Sequence, residues 1–177
     1  MFDYALQMTL HHEGGFVDDP DDPGGATYRG ISLRFLEAIE EDVDRDGDVD
    51  ADDVISLRGD PEGIKDLYFR HFWEPNRLDE IQSGPVACKI FDMAVNMGSR
   101  QAWRIAQTAC NMLHSPNIAV DGIVGPATIG CVNDLADVDF RLLGSIRTAQ
   151  AQFYANLIAS RPELRKFRLG WMRRAAA

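Results

Sequence analysis

The chain is poor in the features that mark several protein classes. Its 177 residues hold three cysteines, Cys88, Cys110 and Cys131. They form an odd set without CxxC spacing. Each sits among apolar neighbours, so buried reduced thiols are expected, in a protein synthesised for a reducing compartment. No run reaches the roughly 18 apolar residues of a membrane span. Met1-Phe2-Asp3-Tyr4 has no basic stretch ahead of an apolar core, so no secretory signal is visible. Basic residues are outnumbered, 18 against 28 acidic, for a net charge of −10. That balance argues against a nucleic-acid partner, because phosphate binding needs a basic footprint. Alternating runs long enough for a sheet are missing, as is any internal repeat. With 45% apolar and 26% charged residues, one domain or two small closely packed lobes is expected. A chain of this length buries roughly 70% of its unfolded surface, so it needs no disulfide or metal staple.

What is present is helical periodicity. Phe2, Leu6 and Leu10 share one face and predict a helix over 2–13, which Gly14-Gly15 ends. Residues 18–30, rich in Asp, Pro and Gly, read as an irregular loop or a short hairpin. Further helices are predicted over 32–41 with Ser32 as N-cap, over 51–58, and over about 62–72. A linker is expected at 76–83. Helices follow at 85–97 and 100–113, then a turn at 115–125, Pro126 in a first helical turn, and a long helix over 139–159 that Arg161-Pro162 ends. The fold class is mainly all-α, as two closely packed helical lobes over 1–84 and 85–177, with at most one small β-hairpin near 16–30. A monomer is expected.

The acidity is local. Between Glu37 and Asp53 lie ten acidic residues and one basic residue, Arg45, a net of −9. Residues 42–53 align with a twelve-residue calcium loop. Carboxylates fall at positions 1, 3, 5, 9 and 12 (Asp42, Asp44, Asp46, Asp50 and Asp53), Gly47 at position 6, and the Asp48 carbonyl at position 7. Without a cation these carboxylates would repel one another. One structural Ca²⁺ is therefore expected, and no organic cofactor. The loop resembles the EF-hand family and its dockerin variant, although its twelfth residue is Asp rather than Glu and only one such loop is present.

Glu13 falls in the last predicted turn of the first helix. The negative end of the helix dipole disfavours a carboxylate there and raises its pKa, and Phe16 could add desolvation. A carboxyl kept protonated near neutral pH suits a general acid. The surrounding residues, His11-His12-Glu13-Gly14-Gly15-Phe16-Val17-Asp18-Asp19-Pro20 and Asp22-Pro23-Gly24-Gly25-Ala26-Thr27-Tyr28-Arg29-Gly30-Ile31-Ser32, closely resemble the N-terminal signature of glycoside hydrolase family 108. These are N-acetylmuramidases of phages and bacterial secretion systems. Phe91 to Gly98 resembles that family's second block. Val120-Asp121-Gly122-Ile123-Val124-Gly125-Pro126-Ala127-Thr128 and Gly170-Trp171-Met172-Arg173-Arg174 resemble the peptidoglycan-binding module that usually follows.

The resemblance implies a lysozyme-like peptidoglycan hydrolase with Glu13 as catalytic acid. By analogy with phage lysozymes, Asp22 and Thr27 are the second carboxylate and the water-positioning hydroxyl, with Asp18, Asp19 and Asp21 as neighbouring alternatives to Asp22. Tyr28-Arg29 departs from the family's Asn-Tyr after the threonine. Tyr28 and Asn96 are candidate saccharide contacts, set against packing or capping roles. Trp73 and Trp103 read as core, and Trp171 as core or sugar platform. Asp92, on an apolar helix, is expected to pair internally with an arginine. Residues 161–177 carry six basic residues and one acidic, a net of +5. They read as a solvated helix face or a contact for an anionic wall or membrane. Peptidoglycan strands are the expected partner, met in the periplasm or wall after release or dedicated export. The rival readings are a lytic transglycosylase using Glu13 alone and a non-catalytic, calcium-stabilised wall-binding module.

Overall fold

The structure, a computed structural model, describes residues 1–12, 15–16 and 25–177. Glu13 and Asp22 lie outside the described residues, as do Asp18, Asp19 and Asp21. The fold is mainly α-helical and lysozyme-like. Among the described residues the sole sheet is a ribbon of β1 (Thr27–Tyr28) and β2 (Ile31–Ser32). Contacts divide the chain into two compact units, one of Leu6–His71 and one of Met1–Ala5 with Phe72–Ala177. No helix of the described residues is long and apolar enough to cross a membrane.

In the Leu6–His71 unit, α1 (Phe2–His12) leads towards the ribbon, and β2 feeds directly into α2 (Leu33–Ile39). The Ser32 side chain accepts the Phe35 N–H at 3.2 Å, the N-cap that the sequence marks. The acidic loop separates α2 from α3 (Ala51–Ser56), which starts with a capping box. Asp50 accepts the Asp52 N–H at 2.7 Å, and Asp53 accepts the Asp50 N–H at 2.8 Å. A 3₁₀ turn (Leu57–Gly59) leads to α4 (Pro61–Tyr68), with Pro61 in its first turn and Asp60 as N-cap. Leu36, Val54, Leu57, Ile64, Leu67 and Tyr68 form the core. The helix predicted over 62–72 continues past Tyr68 as a π-helical turn, Phe69–Trp73.

The other unit is built on α5 (Gly84–Met97), α6 (Ser99–Asn111) and α8 (Asp139–Ser160), packed on one another, with α7 (Pro126–Asp134) against α6 and α9 (Arg168–Ala176) against α8. Phe2, Trp73 and Phe91 stack edge to face with ring centroids 5.4–5.9 Å apart. Trp73 and Trp103 are core, as the sequence suggests. The stretch 76–83 is not the linker expected of it. A 3₁₀ turn (Leu78–Glu80) brings Leu78 and Ile81, three residues apart, to the same buried side. Asn76, also buried, accepts the Trp103 indole N–H at 2.8 Å and donates to the Phe72 carbonyl and the Ser99 hydroxyl. Cys110 and Cys131 are buried thiols and Cys88 is half-buried.

Candidate active site

The ribbon follows the Glu13 block along the chain. Thr27 pairs with Ser32 and Tyr28 with Ile31. Only Arg29 and Gly30 are left to turn, at φ 49° and 80°, the left-handed pair that a two-residue hairpin needs. Glycine takes that conformation freely, whereas a side chain there costs roughly 1–2 kcal/mol. The turn is held from α4, where the buried Tyr68 hydroxyl donates to the Arg29 carbonyl at 2.7 Å. At the ribbon's other end, the Leu33 N–H donates to the Ala26 carbonyl at 2.8 Å.

Thr27 is half-buried and its hydroxyl donates to the Gly25 carbonyl at 3.2 Å. With its proton committed, that oxygen is left as an acceptor, the polarity needed to orient a water through the water's own O–H. Tyr28 is half-exposed, with the Arg29 guanidinium 5.6 Å from its ring centroid. Phe16 carries Arg58 over its ring at 5.4 Å, which ties Phe16 to the 3₁₀ turn after α3.

The acidic loop has the turns of a cation-binding loop. Asp42 accepts the Arg45 N–H at 2.6 Å and the Gly47 N–H at 3.0 Å, while Arg45 and Gly47 take positive φ. One carboxylate oxygen each from Asp42, Asp44 and Asp46 lies within 4.8 Å of the others. Asp53 is buried, and its two oxygens are occupied by the backbone N–H groups of Val43, Asp44 and Asp50. Asp53 thus ties the loop's ends together, and Asp50 caps α3. The charges of Asp46 and Asp50 push the Asp48 carboxyl above the usual aspartate range, and desolvation with neighbouring carboxylates does the same to Asp44. Hard oxygen donors on a pre-turned backbone suit Ca²⁺.

Asn96 belongs to the other unit. Its Oδ1 accepts the Tyr154 hydroxyl at 2.6 Å, which in turn accepts the Gln150 amide at 3.1 Å. What Asn96 has left for a ligand is its Nδ2. Asp92 pairs with an arginine as expected, because the Arg174 guanidinium approaches to 2.8 Å and is almost fully buried. Beside it the buried Lys89 donates to the Arg174 and Ala175 carbonyls at 2.7 and 3.3 Å, and burial lowers its pKa to about 8. Trp171 is no open sugar platform, since Tyr154 stacks on it at 5.0 Å and Phe167 at 5.6 Å.

Two residues that the sequence reading did not single out organise the loops. Tyr68, on an apolar α4 face, pins the ribbon, and a tyrosine on such a face signals a hydroxyl with a partner. Gln107, a lone amide beside Trp103, Ala106 and Cys110 on α6, holds the Asp121–Pro126 loop. Its Nε2 donates to Asp121 Oδ1, the Ile123 carbonyl and Thr128 Oγ1, and its Oε1 accepts the Gly122 N–H. Gly122 is at φ +77°, and a Cβ there would meet the Arg100 carbonyl at 2.4 Å. The Asp-Gly-x-x-Gly-Pro motif is therefore a clamp on α6.

Comparison with known proteins adds to this geometry. The family model for glycosyl hydrolase 108 matches residues 6–98, and one described as a predicted peptidoglycan domain matches residues 101–176. A solved structure of SagA from Brucella abortus superposes with a TM-score of 0.76 at 26% identity, covering 99% of this chain and 89% of that one. No curated protein matches the sequence. A family match that spans the first helix, the glutamate block and the pinned ribbon, followed by the match to a peptidoglycan domain, leads to one assignment: the chain belongs to the glycosyl hydrolase 108 family and is a glycoside hydrolase acting on peptidoglycan.

Proposed function

We propose that the chain is an N-acetylmuramidase that hydrolyses the β-1,4 bond between N-acetylmuramic acid and N-acetylglucosamine. The observation carrying this reading is the family match over residues 6–98, which includes Glu13. A carboxyl following a helix C-terminus is biased towards its protonated form by the dipole. Glu13 donates its proton to the leaving glycosidic oxygen. Asp22 activates water or stabilises the oxocarbenium-like transition state, and Thr27 accepts a hydrogen bond from that water. Tyr28 offers its ring to a sugar face. The site of action is the periplasm or wall, reached by release or dedicated export.

Glu13→Gln keeps the side chain's shape and removes the acid. Digestion of purified sacculi by wild type should release muropeptides that have gained water, and the variant should release almost none. Wild-type clearance by Glu13→Gln would sink the mechanism. Anhydro-sugar products would make the enzyme a lytic transglycosylase instead.

We further propose that residues 42–53 hold one structural Ca²⁺ through the Asp42, Asp44 and Asp46 carboxylates and the Asp48 carbonyl, with Asp50 and Asp53 shaping the loop. The clustered oxygens and the raised Asp48 and Asp44 pKa values support this reading. When bound, the ion offsets part of the loop's negative charge and takes no part in bond cleavage.

A further inference from the structure

The second half of α8 and the C-terminal elements leave a groove of about 580 Å³, within the range of small-ligand sites. Ala151, Ala155, Ile158 and Met172 supply a methyl-rich lining, and Arg165 and Arg168 line it as well. Three other arginines are paired, Arg70 with Glu41 and Asp66, Arg77 with Glu80, and Arg174 with Asp92. Arg165 and Arg168 are exposed, and neither guanidinium has an ion-pair or hydrogen-bond partner among the described residues. They lie in a stretch of net charge +5, opposite in sign to the −9 of residues 37–53, so an anion is drawn to this surface and repelled by the acidic loop. Sugar rings fit it poorly. Trp171 already stacks with Tyr154 and with Phe167, Phe167 also carries the Lys166 ammonium 5.0 Å from its ring centroid, and Gln152 is the sole amide of the lining.

A ligand that alternates methyl groups with carboxylates matches this lining, and peptidoglycan carries one in its peptide stems of alanine, glutamate and a diamino acid. We propose that this groove binds the acidic peptide stem, seating alanyl methyls on the alanine floor and pairing a stem carboxylate with Arg165 and Arg168. The inference rests on the reading of the chain as a peptidoglycan hydrolase. It gives the enzyme a second grip on its polymer, on the peptide rather than the glycan.

The test is titration calorimetry of the full chain with a synthetic stem tetrapeptide, with an N-acetylglucosamine tetramer as peptide-free control and anionic phospholipid vesicles as a third arm. Wild type should bind the peptide with an affinity that falls as salt rises. Arg165→Glu combined with Arg168→Glu should weaken it by roughly tenfold or more, without altering glycan binding or the melting temperature. Ala155→Leu, which fills the floor and keeps both charges, should weaken it as well. No peptide binding by wild type, or equal binding by the variants, overturns the groove assignment. Charge-dependent vesicle binding without peptide binding also overturns it, in favour of a lipid surface. Sacculus digestion by the same samples separates the two readings. Digestion without peptide binding leaves the hydrolase reading standing and removes the groove, whereas peptide binding without digestion does the reverse.

Discussion

Tyr68→Phe removes one hydroxyl and keeps the ring that fills the α4 core. The lost bond is the 2.7 Å donation to the Arg29 carbonyl. Arg29 is exposed, so water can replace the donor, and the net cost is about 1 kcal/mol, as for an ordinary hydrogen bond. For a chain of this size that lowers Tm by roughly 2–4 °C. The folded fraction at 25 °C stays near unity, so lost stability alone would leave the rate unchanged. The ribbon is another matter, because Arg29 holds its left-handed φ against a penalty of about 1–2 kcal/mol. If the turn relaxes and Thr27 moves by ~1 Å, the rate falls by up to roughly 100-fold. The assay is dye release from labelled sacculi beside calorimetric melting, with the exposed Tyr4→Phe as control. Arg29→Gly, placed on top of Tyr68→Phe, should recover the melting temperature by removing the left-handed penalty. A Tyr68→Phe enzyme with lowered Tm but a rate within about twofold of wild type would refute the claim that this hydroxyl positions the ribbon for catalysis.

Three further outcomes follow from the same geometry. Calcium at a hundredfold excess over Kd should stabilise the chain by roughly 2.7 kcal/mol, and Asp42→Asn should abolish the gain; melting indifferent to both calcium and chelator would remove the ion from the loop. Lys89 has its pKa lowered by burial to about 8, so between about pH 8 and 10.5 the unfolded chain holds the proton that the folded chain has released. Its contribution to stability therefore rises with pH across that window, by about 3 kcal/mol at most. Urea unfolding of wild type minus Lys89→Met isolates the slope from the tyrosines and cysteines, and a flat difference would contradict it. Gln107→Leu strands the groups that Gln107 serves and should cost roughly 2–3 kcal/mol, a Tm loss of about 4–12 °C. Faster amide exchange at Gly122 and Ile123 should accompany it, whereas exposed Thr148→Ala should stay within about 0.5 kcal/mol of wild type. Equal melting of Gln107→Leu and Thr148→Ala would dissolve the clamp.

Much of the helical plan was legible because burial on one face leaves a 3.6-residue period, and Ile64-Leu67-Tyr68 and Val86-Ile90-Phe91-Ala94 carry it plainly. Trp73, Trp103 and the internal pairing of Asp92 were readable for the same reason, as apolar or charged groups on faces that have to be covered. The π-helical turn at 69–73 was not, since a shift from i+4 to i+5 bonding leaves no mark on residue order. Packing of Leu78 and Ile81 was hidden in a short polar-looking stretch whose two apolar residues need a 3₁₀ turn to meet. The bond from the Tyr154 hydroxyl to the Asn96 oxygen joins partners 58 positions apart along the chain, which no local pattern reveals. In the acidic loop the spacing gave the turn and its glycine. It did not give the division of labour, in which Asp53 ties the backbone and Asp42, Asp44 and Asp46 gather.

The Asp121–Pro126 clamp bears on how such sequences are recognised. Asp121 bonds within its own turn, Gly122 avoids the Arg100 carbonyl, and Gln107 secures them all from the neighbouring helix. Asp121 and Gly122 of that signature are accounted for by holding a loop still, and Pro126 by starting α7. A search keyed on Asp-Gly-x-x-Gly-Pro would gather chains that share an architecture, whether or not they cut anything. The chemistry has to be sought elsewhere in the chain.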